Sequence, residues 1–311
     1  MDTPAVAAAH RFEVSARRFR QLSIAAAVML LVIVATGATV RLTASGLGCE
    51  HWPGCQPGQP FPEKGFHSYI EFSNRVVAFL TIVATLAAGA GAFFVAGLQR
   101  WVRWLALFTF VGTLGQAPLG AITVYYHLNP WLVLTHFLLS LVVLTAGVVV
   151  ALEAIGHVAG RTRPLVPTWA RWGSVVFGAA CVALVTTGTL ATAAGPHPGS
   201  VAVRRVGSFQ PAVYVHVRAT AVFGISLLVL LAYLWRRRRE APGLLRGTLV
   251  LLALVLVQMA VGETQYRTKL PWWLVLGHVT LAATVWAATV ALVTSFFRPV
   301  APLAPTREST I

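Results

Sequence analysis

Eight apolar stretches, each close to the ~20 residues that cross a bilayer as a helix, constrain this chain more than any other feature. They run roughly over 22–40, 70–96, 101–122, 131–152, 169–194, 212–235, 244–265 and 272–297. Of the 311 residues 57% are hydrophobic and only 11% charged, more apolar surface than a soluble core can hide. Lipid offers backbone N–H and C=O groups no partner, so each run has to satisfy its own as a helix. The expected fold class is an all-α integral membrane protein with eight transmembrane helices. The first run is long enough to span and lacks a small-residue cleavage site at its end, so it reads as helix one rather than as a removed signal peptide.

A net charge of +15 would point to nucleic acid in a soluble protein. Here the arginines collect in alternate loops, which excludes that class and reads as the positive-inside pattern. Arg11, Arg17, Arg18 and Arg20 precede the first span, Arg100 and Arg103 follow the second, and Arg161, Arg163 and Arg171 follow the fourth. Arg236 to Arg239 and Arg246 follow the sixth, and Arg298 and Arg307 follow the eighth. The expected location is the cell membrane, multi-pass, with both termini cytoplasmic and the basic N-terminal segment on the lipid surface. Arg204, Arg205, Arg267 and Lys269 stand on the opposite side and run against the pattern.

The chain also repeats itself. Trp131-Leu132-Val133-Leu134-Thr135-His136 returns as Trp273-Leu274-Val275-Leu276-Gly277-His278, with the histidines 142 positions apart. At that offset Gln116 falls on Gln258, Gly120 on Gly262 and Asn74 on His216. Each half has four spans, an even number, so the expected arrangement is two parallel four-helix repeats. The division reads 1–21 as the N-terminal segment, 22–155 as the first half, 156–170 as the connection, 171–298 as the second half and 299–311 as a disordered tail. Inverted-repeat transporters are excluded by this parity.

Polar residues within the spans mark chemistry more often than structure. Glu71, Asn74 and Arg75 lie near one face of helix two, where Glu71 reads either as an i,i+4 ion pair with Arg75 or as a carboxylate facing a polar cavity. The preceding outer loop carries Cys49, His51 and Cys55. A disulfide can close its five intervening residues in an oxidising compartment. The competing reading, a metal site of these three residues, lacks a convincing fourth ligand. Cys181, alone in helix five, reads as a small core residue, and Arg41 at the end of helix one as snorkelling to the headgroups.

His216 and His278 stand at similar depth on separate helices with glycines nearby, which suits bis-histidine ligation of haem. His136 faces Asn74 at the same spacing, and since an amide is a poor iron ligand, one-sided ligation fits the first half. A six-coordinate iron suits electron transfer, and an open position suits transient occupancy. The two halves therefore read as a resident redox haem in the second and a haem handled as substrate in the first.

Thr36-Gly37, Arg41-Leu42-Thr43-x-Ser45-Gly46-Leu47-Gly48-Cys49, Trp52-Pro53-x-Cys55, Ile70-Glu71-Phe72-x-Asn74-Arg75, Leu128-Asn129-Pro130 and the repeated Trp-Leu-Val-Leu-x-His resemble the haem A synthase family, in order and over nearly all eight spans. The resemblance implies an oxidoreductase that converts the C8 methyl of haem O to the formyl of haem A by successive hydroxylations with water as oxygen source. It implies Glu71 as a catalytic residue, His216 and His278 as axial ligands of a haem B cofactor, and His136 as ligand to the substrate iron, with Asn74 and Arg75 at the substrate haem. Cys49 and Cys55 match the family's cysteine pair. Many members have histidine where this chain has Asn74. Implied partners are haem O, haem O synthase, and an electron acceptor such as a quinone or redox protein that takes electrons leaving through haem B. The rival readings are a b-type cytochrome that passes electrons without a haem substrate and, further off, a parallel-repeat transporter.

Overall fold

A computed structural model of the protein describes residues 13–49, 54–56, 58, 61–62, 65–197 and 205–301. Arg11, His51, Trp52, Pro53, Arg204, Arg307 and the tail from 302 lie outside the described residues. Eight helices long and apolar enough to cross a membrane are present among those described: α1 (Ala16–Leu42), α2 (Phe66–Gly91), α3 (Arg100–Tyr125), α4 (Pro130–Ala159), α5 (Thr168–Ala194), α6 (Phe209–Arg236), α7 (Pro242–Arg267) and α8 (Trp272–Phe297). The chain is an all-α multi-pass membrane protein.

The helices outrun the apolar stretches because their ends are capped by polar residues that hydropathy overlooks. Ser15 accepts the Arg18 N–H at 3.3 Å, so α1 begins at Ala16, inside the segment expected to precede the first span. The Asn129 side chain accepts the Trp131 N–H at 3.0 Å, and Pro130 opens α4 where its missing N–H leaves nothing unpaired. That helix continues to Ala159 and stops at Gly160, whose φ of 87° costs a glycine little. The connection between halves is thereby shortened to 160–167.

Each half uses the same neighbours. In the first, α1 packs on α2 and α4, and α3 bridges α2 and α4; in the second, α5 packs on α6 and α8, and α7 bridges α6 and α8. The turns agree as well. His127 and Leu128 (φ 49° and 58°) end α3 in the left-handed region, and Lys269 and Leu270 (φ 64° and 60°), 142 positions on, end α7 in the same way. In both, the leucine N–H returns to a carbonyl of the last helical turn: Leu128 to Thr123 at 2.8 Å and Leu270 to Gln265 at 2.7 Å. The halves meet mainly where α8 lies against α1 and α4. There Trp286 donates its indole N–H to Thr145 Oγ1 (2.9 Å) and the Leu141 carbonyl (3.2 Å).

Lipid tails are as apolar as leucine, so close packing rather than water exclusion holds such helices together. Small residues admit that packing. A Cβ on Gly147 would lie 2.6 Å from Leu30 Cδ1 between α4 and α1, and one on Gly112 2.8 Å from Val143 Cγ2 between α3 and α4. At the end of the bundle where α4 finishes, the buried Glu153 receives Arg298 through Nε (2.6 Å) and Nη2 (2.9 Å), and Arg161 through Nη2 (2.9 Å). The Gly160 carbonyl accepts from Ala301 and the Pro299 carbonyl accepts from Thr162, so the first residues of the expected disordered tail are instead pinned to the connection. This clasp ties the end of the first half to the end of the second.

Candidate functional site

The odd-numbered helices end, and the even-numbered helices begin, at the opposite end of the bundle, where the first long loop lies. Cys49 and Cys55 form a disulfide there, with Cα atoms 4.4 Å apart. Both thiols are consumed, which overturns the metal reading of this loop. The loop is fastened to the first turn of α2 at backbone distance: a Cβ on Gly48 would lie 2.6 Å from the His67 carbonyl, and Ser68 Oγ donates to the Gly48 carbonyl at 2.7 Å. Only glycine lets the two chains approach this closely.

Glu71, one turn into α2 and 4% exposed, accepts the Cys49 N–H on Oε2 (2.9 Å) and Arg75 Nη2 on Oε1 (2.6 Å). Arg75 also donates to the Gly54 carbonyl. The disulfide loop is thus tied to α2 near both cysteines, by the Glu71 carboxylate at Cys49 and by the Arg75 guanidinium at Gly54. The two readings of Glu71 do not compete, because the same side chain makes the i,i+4 ion pair and lines a cavity.

That cavity has a volume of about 1900 Å³ and runs through both halves. Ordinary small-molecule pockets measure roughly 300–1,000 Å³, so it is sized for more than one large ligand. Glu71, Asn74 and His136 line it from the first half, His216 and His278 from the second, and Arg41 from α1. The histidines of α4 and α8 lie six residues past the helix starts, about 9 Å deep at 1.5 Å per residue, and His216 of α6 lies one residue deeper.

The same device shapes all four positions. An odd-numbered helix presents a glycine to the polar residue on the next helix. A Cβ on Gly188 would lie 2.9 Å from His216 Cε1, and one on Gly262 would lie 2.9 Å from His278 Cε1. Gly120 stands at 3.7 Å from His136 Cε1, and Gly37 at 4.0 Å from Asn74 Oδ1. The threonine before each glycine of α1 and α5 reaches the same partner: Thr36 Oγ1 donates to Asn74 Oδ1 at 2.8 Å, and Thr187 Oγ1 lies 3.3 Å from His216 Nδ1. The paired glutamines also keep equivalent places. Gln258 Nε2 donates to the His278 carbonyl at 3.0 Å, while Gln116 accepts from Ser140, which itself donates to the His136 carbonyl.

These residues fit the haem groups expected of them. The ring centroids of His216 and His278 are 6.4 Å apart. Two metal–nitrogen bonds of about 2.0–2.1 Å, plus roughly 1.2 Å from each nitrogen to its ring centre, span about 6.5 Å. The Nδ1 atoms of His136 and His278 are buried without a hydrogen-bond partner, on rings that face the cavity. Asn74 differs in having its oxygen already engaged by Thr36.

Arg41 departs from expectation. Instead of reaching toward headgroups, it turns between α1 and α5, donates from Nη2 to the Thr192 carbonyl at 2.8 Å, and lines the cavity. Sequence reasoning missed this because a snorkelling arginine and an inward one occupy the same place at a helix end. The offset paired Gly120 with Gly262, but only geometry tells a ligand-facing glycine from a packing one. Cys181 is buried and free, as its setting implied.

The sequence profile of a family described as cytochrome oxidase assembly protein matches residues 20–65 and 59–290. A haem A synthase from Geobacillus kaustophilus is 26% identical over 274 residues, covering 84% of this chain and 86% of that protein. One from Geobacillus thermodenitrificans is 28% identical over 263 residues, 81% of this chain and 83% of that protein. One from Bacillus pumilus is 30% identical over 150 residues, 48% of each chain.

Proposed function

The chain belongs to the cytochrome oxidase assembly protein family, and from that membership we propose that it is a haem A synthase, an oxidoreductase that converts the C8 methyl of haem O to the formyl of haem A. The observation that carries this reading is the single cavity lined by Glu71 and His136 from one half and by His216 and His278 from the other. The matching relatives that bear the haem A synthase name support it over most of the chain.

His216 and His278 are the residues that would hold haem B, which when bound supplies one-electron redox chemistry. The substrate haem O sits in the first half, with His136 toward its iron and Asn74 and Arg75 beside it. Conversion of methyl to formyl takes one water and releases four electrons and four protons, in two hydroxylations that each form one C–O bond. The resulting gem-diol loses water to the aldehyde. The electrons pass to an acceptor of the quinone or redox-protein class.

Glu71 is placed by chemistry as the group that accepts a proton from the attacking water and stabilises positive charge developing at the methyl carbon. Its two oxygens are held by Arg75 and the Cys49 N–H. Arg75 and the disulfide loop fix the direction of the carboxylate. Asn74, whose oxygen is already engaged by Thr36, would leave the far side of the substrate iron weakly held, which suits a haem that must enter and leave. The arginine distribution supports cytoplasmic termini, with the disulfide end facing the oxidising compartment.

Glu71→Gln tests the assignment. In membranes supplied with haem O, the variant should keep normal haem B content and lose haem A production at least a hundredfold. Full haem A production by a normally folded Glu71→Gln protein would exclude the role.

A further inference from the structure

Arg205 and Lys269 violate the charge pattern of the other loops and have no part in the chemistry above. Both line a second, smaller cavity of about 290 Å³ at the disulfide end. This cavity continues the large one, since Pro196, Phe209, Tyr266 and Leu270 border both. Neither cationic side chain has a hydrogen-bond or ion-pair partner among the described residues, whereas Arg267 nearby is paired with Glu263 at 2.5 Å and lines neither cavity.

The backbone holds both residues in place. Lys269 occupies a left-handed conformation (φ 64°) that is uncommon for a non-glycine residue. The turn is fixed by the Leu270 N–H on the Gln265 carbonyl at 2.7 Å and by His197 Nε2 on the Leu270 carbonyl at 2.8 Å. Arg205 is held next to the Val206 N–H, which donates to the Ala193 carbonyl at the end of α5 at 3.3 Å. The equivalent turn of the first half carries His127 in place of Lys269, and His127 lines neither cavity.

Two unpaired cations thus border an outlet from the apolar cavity, on the side where α6 and α8 begin and a turn or two above His216 and His278. A haem is apolar over its ring and carries two carboxylates on one edge. We propose that Arg205 and Lys269 bind the propionates of the haem held by His216 and His278, so that the second-half site has a metal end inside the membrane and an anion end at its surface. This rests on the reading of those histidines as axial ligands. It also accounts for basic residues on a side that topology otherwise keeps poor in them, because a resident dianion offsets them.

The test uses the detergent-purified holoprotein and the rate at which haem B passes to a haem-scavenging apoglobin. Hydrogen bonds to charged groups contribute enough that losing two partly exposed ones should speed haem loss roughly tenfold in Arg205→Gln/Lys269→Gln. Arg267→Gln removes a charge from the same surface and should release haem at the wild-type rate. Arg205→Lys/Lys269→Arg keeps both charges and should hold haem nearly as well as wild type. When the proteins are reconstituted with iron protoporphyrin dimethyl ester, which has no carboxylates, wild type and the double glutamine variant should release it equally fast. Loss from the double glutamine variant no faster than from Arg267→Gln overturns the proposal. So does a difference that persists with the ester, because the charges would then act on lipid headgroups or on folding. Retention of haem B by His216→Ala would instead overturn the ligand reading on which the proposal rests.

Discussion

Gly262→Ala tests how closely α7 and α8 are matched at the second-half site. The new Cβ would lie 2.9 Å from His278 Cε1 and 3.3 Å from Nδ1. Carbon atoms rest at about 3.5–4.0 Å, so the ring has to retreat by roughly 0.6–1 Å. A side chain can make that move in the empty protein at small cost, and alanine gains about 0.5–1 kcal/mol over glycine within a helix. Folding is therefore spared. Metal–ligand distances tolerate only about ±0.2 Å, so the cost falls on coordination, and displaced support of a ligating histidine lowers affinity by about 10–100-fold. Haem content and the reduced optical spectrum of the purified variant should show partial haem loss and a shift from six-coordinate to five-coordinate iron. Gly120→Ala supplies the contrast, since its Cβ meets His136 Cε1 at an ordinary 3.7 Å and the protein should be unchanged. A Gly262→Ala protein with full haem and an unaltered spectrum would refute the reasoning.

Other perturbations separate the parts of the molecule. Cys49→Ser/Cys55→Ser frees the loop whose Cys49 N–H and Gly54 carbonyl brace Glu71 and Arg75; haem A formation should fall at least tenfold, with the second-half spectrum unchanged. Glu153→Gln removes the carboxylate shared by Arg161 and Arg298 and should cost about 2–4 kcal/mol, read as a lowered Tm with both haem sites intact. Thr187→Val deletes the hydroxyl beside His216 Nδ1 and should shift the haem midpoint potential without abolishing binding, which a redox titration resolves.

The hydropathy pattern made the eight spans legible, because a bilayer leaves the backbone no alternative to a helix. Helix ends were less so: Ser15 and Asn129 cap beyond the apolar limits, and Gly160 lets α4 run past the end of its hydrophobic run. The 142-residue offset named His136, His216, His278 and Asn74, and all four line one cavity. It missed the glycines opposite α2 and α6, since Gly37 and Gly188 are 151 positions apart and the loop between lengthens the register. Arg41 and the Glu153 clasp were illegible for another reason. Their partners, Thr192 and the pair Arg161 and Arg298, are set by how the two halves dock, and no local pattern encodes that.

Haem extraction from the detergent-purified protein, made in cells that supply haem O, bears most directly on a two-site synthase. Chromatographic separation should find haem B together with haem O or A, and His216→Ala should lose the B component selectively. Haem B alone would contradict the synthase and leave an electron-transfer cytochrome, and the absence of any haem would contradict the assignment of His216 and His278.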